Sequence, residues 1–251
     1  MQGQRCDDRT ILEIGGADRV DFLQGLVTND VAGLKDGLVY AALLTPQGKY
    51  MADFFLVPWQ DVILLDVKTD LAQMLGQRLA MYKLRAKVTI TPSDVPVSRG
   101  LGPVPATAFA DPRHPDLGWR HYGEIALDPV EIDWDRLRIA ACVPETGVEL
   151  TAETYILEAG FERLHGVDFR KGCYVGQEIS ARMKHKAELR KGLAVVEIDG
   201  AAPIGTEITA NGKAAGVLYT QAEGRAIAYL RFDRATGEMT AENATLRLNQ
   251  A

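Results

Sequence analysis

The chain of 251 residues reads as an α+β protein that ends in an antiparallel β domain. Two observations predict this. As far as Thr91, apolar runs of strand character are interleaved with two helical patterns, the mixture expected of an α+β unit. From Gly192 onward the helical period disappears, and short strands separated by turn residues recur at roughly regular spacing, as in a small antiparallel barrel.

The elements follow in order. Thr10 to Ile14 alternates into a short strand, and Asp18 is placed to cap a helix whose apolar face runs through Val20, Leu23, Leu26 and Val27. Leu38 to Leu44 and Tyr50 to Val57 are apolar runs joined by Pro46-Gln47-Gly48, a hairpin signal, and Val62 to Val67 is a third strand. Thr69 caps a second helix reaching Arg85, after which Lys87 to Thr91 restores a strand. Pro92 to Gly118 is rich in Pro and Gly and reads as a linker or excursion with a domain boundary. Trp119 to Leu127 and then Val130 to Cys142 predict a strand and a helix in a second α+β unit. The terminal strands are Leu193 to Ile198, Glu207 to Ala210, Ala214 to Thr220, Arg225 to Phe232 and Ala244 to Leu248, with Asn211-Gly212 as a two-residue turn. The division is 1–98 for the N-terminal α+β subdomain, 99–190 for the second and 191–251 for the barrel.

Composition narrows the function. A net charge of −6 argues against a general affinity for nucleic-acid phosphates, which are normally met by a basic surface. One local exception runs from Arg182 through Lys184, His185 and Lys186 to Arg190 and Lys191, a cationic stretch able to steer an anionic ligand. Cys6, Cys142 and Cys173 are odd in number and widely spaced, which gives no disulfide framework and implies a reducing compartment. The segment from Met1 to Asp8 has no apolar signal core or transit-like leader, and no long uncharged apolar run follows, so a cytosolic address without membrane association is expected.

The densest chemistry lies in Lys171-Gly172-Cys173-Tyr174-Val175-Gly176-Gln177-Glu178. Gly172 and Gly176 permit turns and close approach that side chains resist. Arg170 and Lys171 precede Cys173, and nearby cations favour the thiolate, the form that attacks electrophiles or binds metal. Gln177 and Glu178 add an amide and a carboxylate suited to a polar heterocycle. The plainer alternative is a Gly-bounded turn around a small packing cysteine. Elsewhere the signals are thin. His114, His121, His165 and His185 do not fall at helical ligand spacing and no paired-cysteine pattern occurs, so no protein metal site is expected. The glycine pairs lack a dinucleotide fingerprint or a P-loop lysine, and His114-Pro115-Asp116 sits in a Pro-rich loop.

The motif resembles the signature of the YgfZ/Iba57-type family, Lys-Gly-Cys-aromatic-x-Gly-Gln-Glu, at every fixed position from Lys171 to Glu178. Leu164-His165-Gly166-Val167-Asp168-Phe169 before it and Ala181-Arg182 after it are also similar to relatives. Asp21 to Asp30 and the hairpin Thr45 to Asp53 resemble the wider superfamily of folate-dependent aminomethyltransferases. The resemblance implies the aminomethyltransferase folate-binding fold and tetrahydrofolate or a one-carbon derivative as cofactor. Cys173 and Lys171 become the reactive pair, and Asp53, Glu158, Gln177, Glu178 and Arg182 folate contacts. The pterin is placed near Glu158, whose carboxylate can accept both N–H donors of a 2-aminopyrimidine edge. Relatives carry adjacent acids in the hairpin strand where this chain has Ala52-Asp53, and the register leaves open whether the acid survives as Asp53 or is lost as Ala52. The implied function is assistance in iron–sulfur cluster assembly or repair in client enzymes, including radical enzymes that modify tRNA. The implied partners are folate and iron–sulfur client or assembly proteins, met as a monomer. A folate-dependent aminomethyl or methyl transferase is the alternative.

Overall fold

The computed structural model describes residues 2–185 and 189–248, which form two compact units. The first comprises 1–132 and 162–179, the second 133–161 and 180–251.

In the first unit the chain forms β1 (Gln2–Arg5), β2 (Arg9–Gly15), α1 (Arg19–Gln24), β3 (Val39–Leu44), β4 (Tyr50–Trp59), β5 (Val62–Lys68), α2 (Thr69–Lys83) and β6 (Thr89–Ser93). It continues with β7 (Val97–Gly100), β8 (Phe109–Ala110), β9 (Trp119–Tyr122) and β10 (Asp128–Pro129). One sheet has the order β3-β4-β5-β2-β6 and the other β10-β1-β7-β9-β8. Period-two alternation gives the first sheet two different faces. Leu12, Ala41, Ala52, Phe54, Leu56 and Leu65 lie in an apolar cluster with Leu23 of α1 and Leu75 and Leu79 of α2. The alternate residues Tyr40, Asp53, Phe55 and Asp66 are also buried, but they meet polar side chains.

Three readings change here. Pro92–Gly118 is no linker, since it supplies β7 and β8 and pairs with β1 and β9. The segment reads as a loop because its strands are short and Pro and Gly dominate the windows between them. Asp18 does precede α1, yet its carboxylate caps nothing; it accepts from the Lys87 N–H at 2.7 Å and ties the helix start to the approach of β6. Thr69 opens α2 as its first residue without capping it, and its hydroxyl bonds that of Thr10 at 3.0 Å.

The second unit holds α3 (Trp134–Ala140), capped by Asp133, which accepts from the Arg136 N–H at 2.9 Å. The chain passes from one unit to the other in α4 (Gln177–Lys184) and then forms β11 (Lys191–Asp199), β12 (Glu207–Ala210), β13 (Lys213–Ala222), β14 (Arg225–Arg231), β15 (Glu238–Ala241) and β16 (Ala244–Arg247). These close into a barrel in the order β11-β14-β13-β12-β15-β16. Asn211 and Gly212 turn between β12 and β13 with φ of 49° and 72°, the left-handed pair that a tight hairpin requires. One of the six strands, β15, escaped the sequence because Glu238–Ala241 holds only two apolar residues, Met239 and Ala241. No helix among the described residues is long and apolar enough to cross a membrane.

Candidate functional site

The motif begins as an irregular loop and ends on a helix. Lys171 is only 8% exposed, and its Nζ donates to the carbonyl oxygens of Gln24, at 2.8 Å, and Val27. It therefore satisfies carbonyls left open just past α1, where a cation is also favoured by the helix dipole. Burial pushes the ammonium down to about 8, against the pull of Asp30 and Asp168. Its Nζ also stands 5.1 Å from the centre of the Tyr174 ring. Arg170 is solvent-exposed, with its N–H on the Asp168 carboxylate at 2.6 Å and its Nε 3.7 Å from the same group. Both cations that the sequence sets beside Cys173 thus have other partners. Gly172 and Cys173 are exposed, while Tyr174 is buried.

The two glycines of the motif differ. Gly172 has open space around it. Gly176 has φ +81°, and a Cβ there would stand 2.5 Å from the Thr45 carbonyl oxygen and 3.2 Å from the Cα of Gly48. Gly48, at φ +74°, turns the β3–β4 hairpin, and a Cβ on it would meet Ile179 at 2.7 Å. The motif backbone is thus pressed onto the hairpin turn, which only paired glycines allow. The chain enters α4 directly after this contact, so Gln177 and Glu178 sit in its first turn.

The hairpin carries Asp53 on β4, opposite Ala42 of β3. Ala52 lies within the apolar cluster beneath the helices, and Asp53 lies on the opposite face, 6% exposed. Its two carboxylate oxygens accept from the hydroxyls of Tyr40, at 3.0 Å, and Tyr50, at 2.6 Å. Burial first and the Asp53 charge second raise the Tyr40 hydroxyl well above its ordinary value, so it stays a donor.

Beyond Asp53 the same face holds a network that sequence reasoning missed. Asp66 accepts from Arg9 at 2.6 Å and Tyr122 at 2.9 Å, with Arg120 at 3.4 Å. Asp111 accepts from Arg113 at 2.8 Å and Arg120 at 3.2 Å. Burial alone would raise the Asp111 carboxyl, but Arg113 and Arg120 bring it down to about 2. The three guanidiniums also lie over the Phe55 ring, Arg120 at 4.0 Å and Arg113 at 4.9 Å. A signal was present: Asp66 interrupts the apolar run Val62 to Val67, and a carboxylate there needs buried cations.

In the second unit Glu158 borders a cleft of about 200 Å3 lined by Thr151, Glu153, Thr154, Leu193, Tyr219 and Tyr229. Its Oε2 accepts from the Tyr229 hydroxyl at 2.7 Å, and its backbone oxygen from the Leu193 N–H at 2.7 Å. Burial and this contact raise the Tyr229 hydroxyl, which holds it as a donor. Glu149 also borders the cleft, but it is committed to Thr220, Arg138 and the Glu145 N–H. With Glu149 so committed, Glu158 and the exposed Glu153 are the other carboxylates that border the cleft.

The structure thus unites Lys171, Cys173, Gln177 and Glu178 in one segment packed on the hairpin of Asp53, all in the first unit, whereas Glu158 and Arg182 belong to the second. Of the cationic stretch, Lys186 lies outside the described residues. No group of three or more His, Cys, Asp or Glu among the described residues could hold a metal ion.

Comparison with known proteins agrees with this architecture. The family model for the CAF17 C-terminal beta-barrel domain matches residues 190–251. The crystal structure of glycine cleavage system aminomethyltransferase T from Bartonella henselae superposes with a TM-score of 0.81, covering 98% of this chain and 84% of that one at 15% identity. The expected aminomethyltransferase fold with its terminal barrel is therefore present. Among sequences, the chain is 33% identical to the mitochondrial iron–sulfur cluster assembly factor IBA57 homolog of Mycosarcoma maydis, over 73% of this chain and 54% of that protein. It is 30% identical to the mitochondrial IBA57 factors of Mus musculus and Homo sapiens, in each case over 84% of this chain and 72% of the relative. These relatives are named as mitochondrial, which overturns the expectation of a cytosolic address. With that identity spread over most of the chain and a matching terminal barrel, the chain belongs to the IBA57 family of iron–sulfur cluster assembly factors.

Proposed function

We propose that the chain is a folate-binding iron–sulfur cluster assembly factor that helps build or repair clusters in client enzymes, among them radical enzymes that modify tRNA. The observation that carries this reading is 30% identity over 84% of the chain to proteins named for cluster assembly. The folate part is supported by the aminomethyltransferase fold and by the cleft at Glu158. Its donor set fits a reduced pterin. The Glu158 carboxylate suits the N–H donors of an aminopyrimidine edge, and the Tyr219 and Tyr229 rings offer flat apolar surface.

A bound tetrahydrofolate would supply a carrier for a one-carbon unit. The protein's part is then to orient the pterin through Glu158, to attract the anionic tail through Arg182 and Lys184, and to present the exposed Cys173 thiol on the loop that Lys171 pins. In this reading Lys171 is a positioning residue. Asp53 is the only acid of the Ala52-Asp53 pair, so transfer of an aminomethyl group from the glycine-cleavage carrier protein should be slight. Turnover at the level of a true aminomethyltransferase would favour the transferase instead.

Calorimetric titration with tetrahydrofolate and its one-carbon derivatives tests the ligand. Binding should be measurable and should weaken about tenfold or more in Glu158→Ala, the worth of a bidentate charge-assisted contact. Failure of every reduced folate to bind at high micromolar concentration would remove the folate claim. The cluster role is read separately, as restored cluster-enzyme activity in cells lacking the protein.

A further inference from the structure

A surface helix of a globular domain ordinarily turns charged residues to solvent. In α2 the only charge at an exposed position of the helix is Asp70, in its first turn. Its inner face is set by Ala72, Leu75 and Leu79, and beyond Asp70 the exposed positions are Gln73, Gln77, Ala80 and Met81, which share one outward stripe, with exposed Leu84 just past the helix end. After Asp70 the stripe carries no charge and becomes apolar toward its end, where Met81 is 66% and Leu84 88% exposed. Val20, 44% exposed, lies in the first turn of α1 at the same end, because the Asp18 N–H donates to the Lys87 carbonyl and the Asp18 carboxylate accepts from the Lys87 N–H.

Leu84 is also held against its preference. It ends α2 at φ 44°, ψ −107°, a conformation that residues with a Cβ rarely adopt, and the chain uses it to push an apolar side chain into water. Around it stand Lys83, Arg85 and Lys87, none paired with a carboxylate among the described residues. A chain of net charge −6 has thus collected unpaired positive charge around its most exposed leucine.

We propose that this face of α2 is a docking surface for an acidic amphipathic helix of a protein partner. The partner's apolar seam would lie over Ala80, Met81 and Leu84, where the small Ala80 lets the helices approach, and its flanking carboxylates would meet Lys83, Arg85 and Lys87. Charge complementarity selects the sign of the partner, and the glutamines extend the contact with hydrogen bonds of the kind a protein interface makes. An anionic membrane fits less well. The face lacks the aromatic anchors of an interfacial helix, and the whole chain, at net charge −6, would be repelled by negative lipid. The proposal stands apart from the folate reading.

The test uses the full chain and a labelled synthetic amphipathic peptide of about 18 residues, with leucines along one face and glutamates beside them. A second peptide replaces the glutamates by lysines, and vesicles containing phosphatidylserine serve as the lipid probe. The acidic peptide should bind, weaken with added salt, and weaken about tenfold or more in Leu84→Asp. Leu84→Gly supplies a control for folding: glycine relieves the positive φ, so its thermal midpoint should hold or rise while peptide affinity falls. Absence of binding by the acidic peptide, equal binding of the lysine peptide, or an affinity unchanged in Leu84→Gly would overturn the proposal. So would capture of the chain by the vesicles instead of the peptide.

Discussion

The barrel interior and the inter-sheet face of the first unit are both buried, and they are built on opposite principles. The barrel core consists of Val196, Ile208, Leu218, Leu230 and Leu246 among many alanines, including Ala210, Ala226, Ala228 and Ala241. Closing only six strands leaves a narrow lumen, which small side chains fill without polar atoms. The inter-sheet face instead packs Arg9, Arg113 and Arg120 against Asp66 and Asp111, with Asp53 held by the Tyr40 and Tyr50 hydroxyls. A packed apolar core responds to substitution by degrees, as cavities form and partly collapse. A closed set of buried charges responds in steps, because removing one partner strands another.

The largest expected effect breaks that set. Asp66→Asn leaves Arg9 and Arg120 short of a buried counter-charge, and unfolding in urea should show a loss of about 3–5 kcal/mol. In the barrel, Leu218→Ala should cost about 2–5 kcal/mol, graded by how far the surrounding side chains can close the cavity. A smaller loss for Asp66→Asn than for Leu218→Ala would remove the contrast. Acid sharpens it. A carboxyl depressed below its ordinary 3.8 contributes stability that is complete above that value and is lost as pH falls through about 2, the position of Asp111. Trp119 of the first unit should therefore report weakening on acidification over that window, and replacement of Asp111 by Asn should remove that residue's share of the dependence and leave the share of Asp8, which Lys68 also depresses.

The same contrast explains what the sequence made legible. Five of the six barrel strands were readable because their alternation and turns are local, as at Asn211-Gly212, whereas β15 was not. The motif was readable because its residue types are dense along the chain. The charge network was not, since Arg9, Asp66, Asp111 and Arg120 are joined only by the pairing of β2 with β5 and the packing of β9. The use of Lys171 was hidden for the same reason: its carbonyl partners at Gln24 and Val27 lie far back in the sequence. Neighbours in sequence made Lys171 look like an activator of Cys173, whereas its ammonium is buried against the chain that follows α1.

A smaller effect is expected where the motif meets the hairpin. Gly176→Ala must hold a Cβ at φ +81° against the Thr45 carbonyl, which should cost about 1–3 kcal/mol. Gly172→Ala, with nothing near its Cβ, should stay within about 0.5 kcal/mol. Equal effects at the two glycines would show that the contact with Gly48 carries no weight.

The smallest stability effect and the largest functional one should coincide at Cys173. It is exposed, whereas Cys6 is buried and its thiol is raised by that burial against the pull of Arg120 and Arg99. Cys173→Ser should therefore move stability by less than about 0.5 kcal/mol, whereas Cys6→Ser hides a hydroxyl and should cost about 1–3 kcal/mol. Alkylation of the native protein should label Cys173 first, ahead of half-buried Cys142 and buried Cys6. In cells lacking the protein, Cys173→Ser should fold and bind folate yet fail to restore cluster-enzyme activity, which would place function at the sulfur. Full restoration by Cys173→Ser, or labelling of Cys6 or Cys142 as fast as Cys173, would reduce the loop to a structural turn set on the hairpin by Gly176 and Lys171.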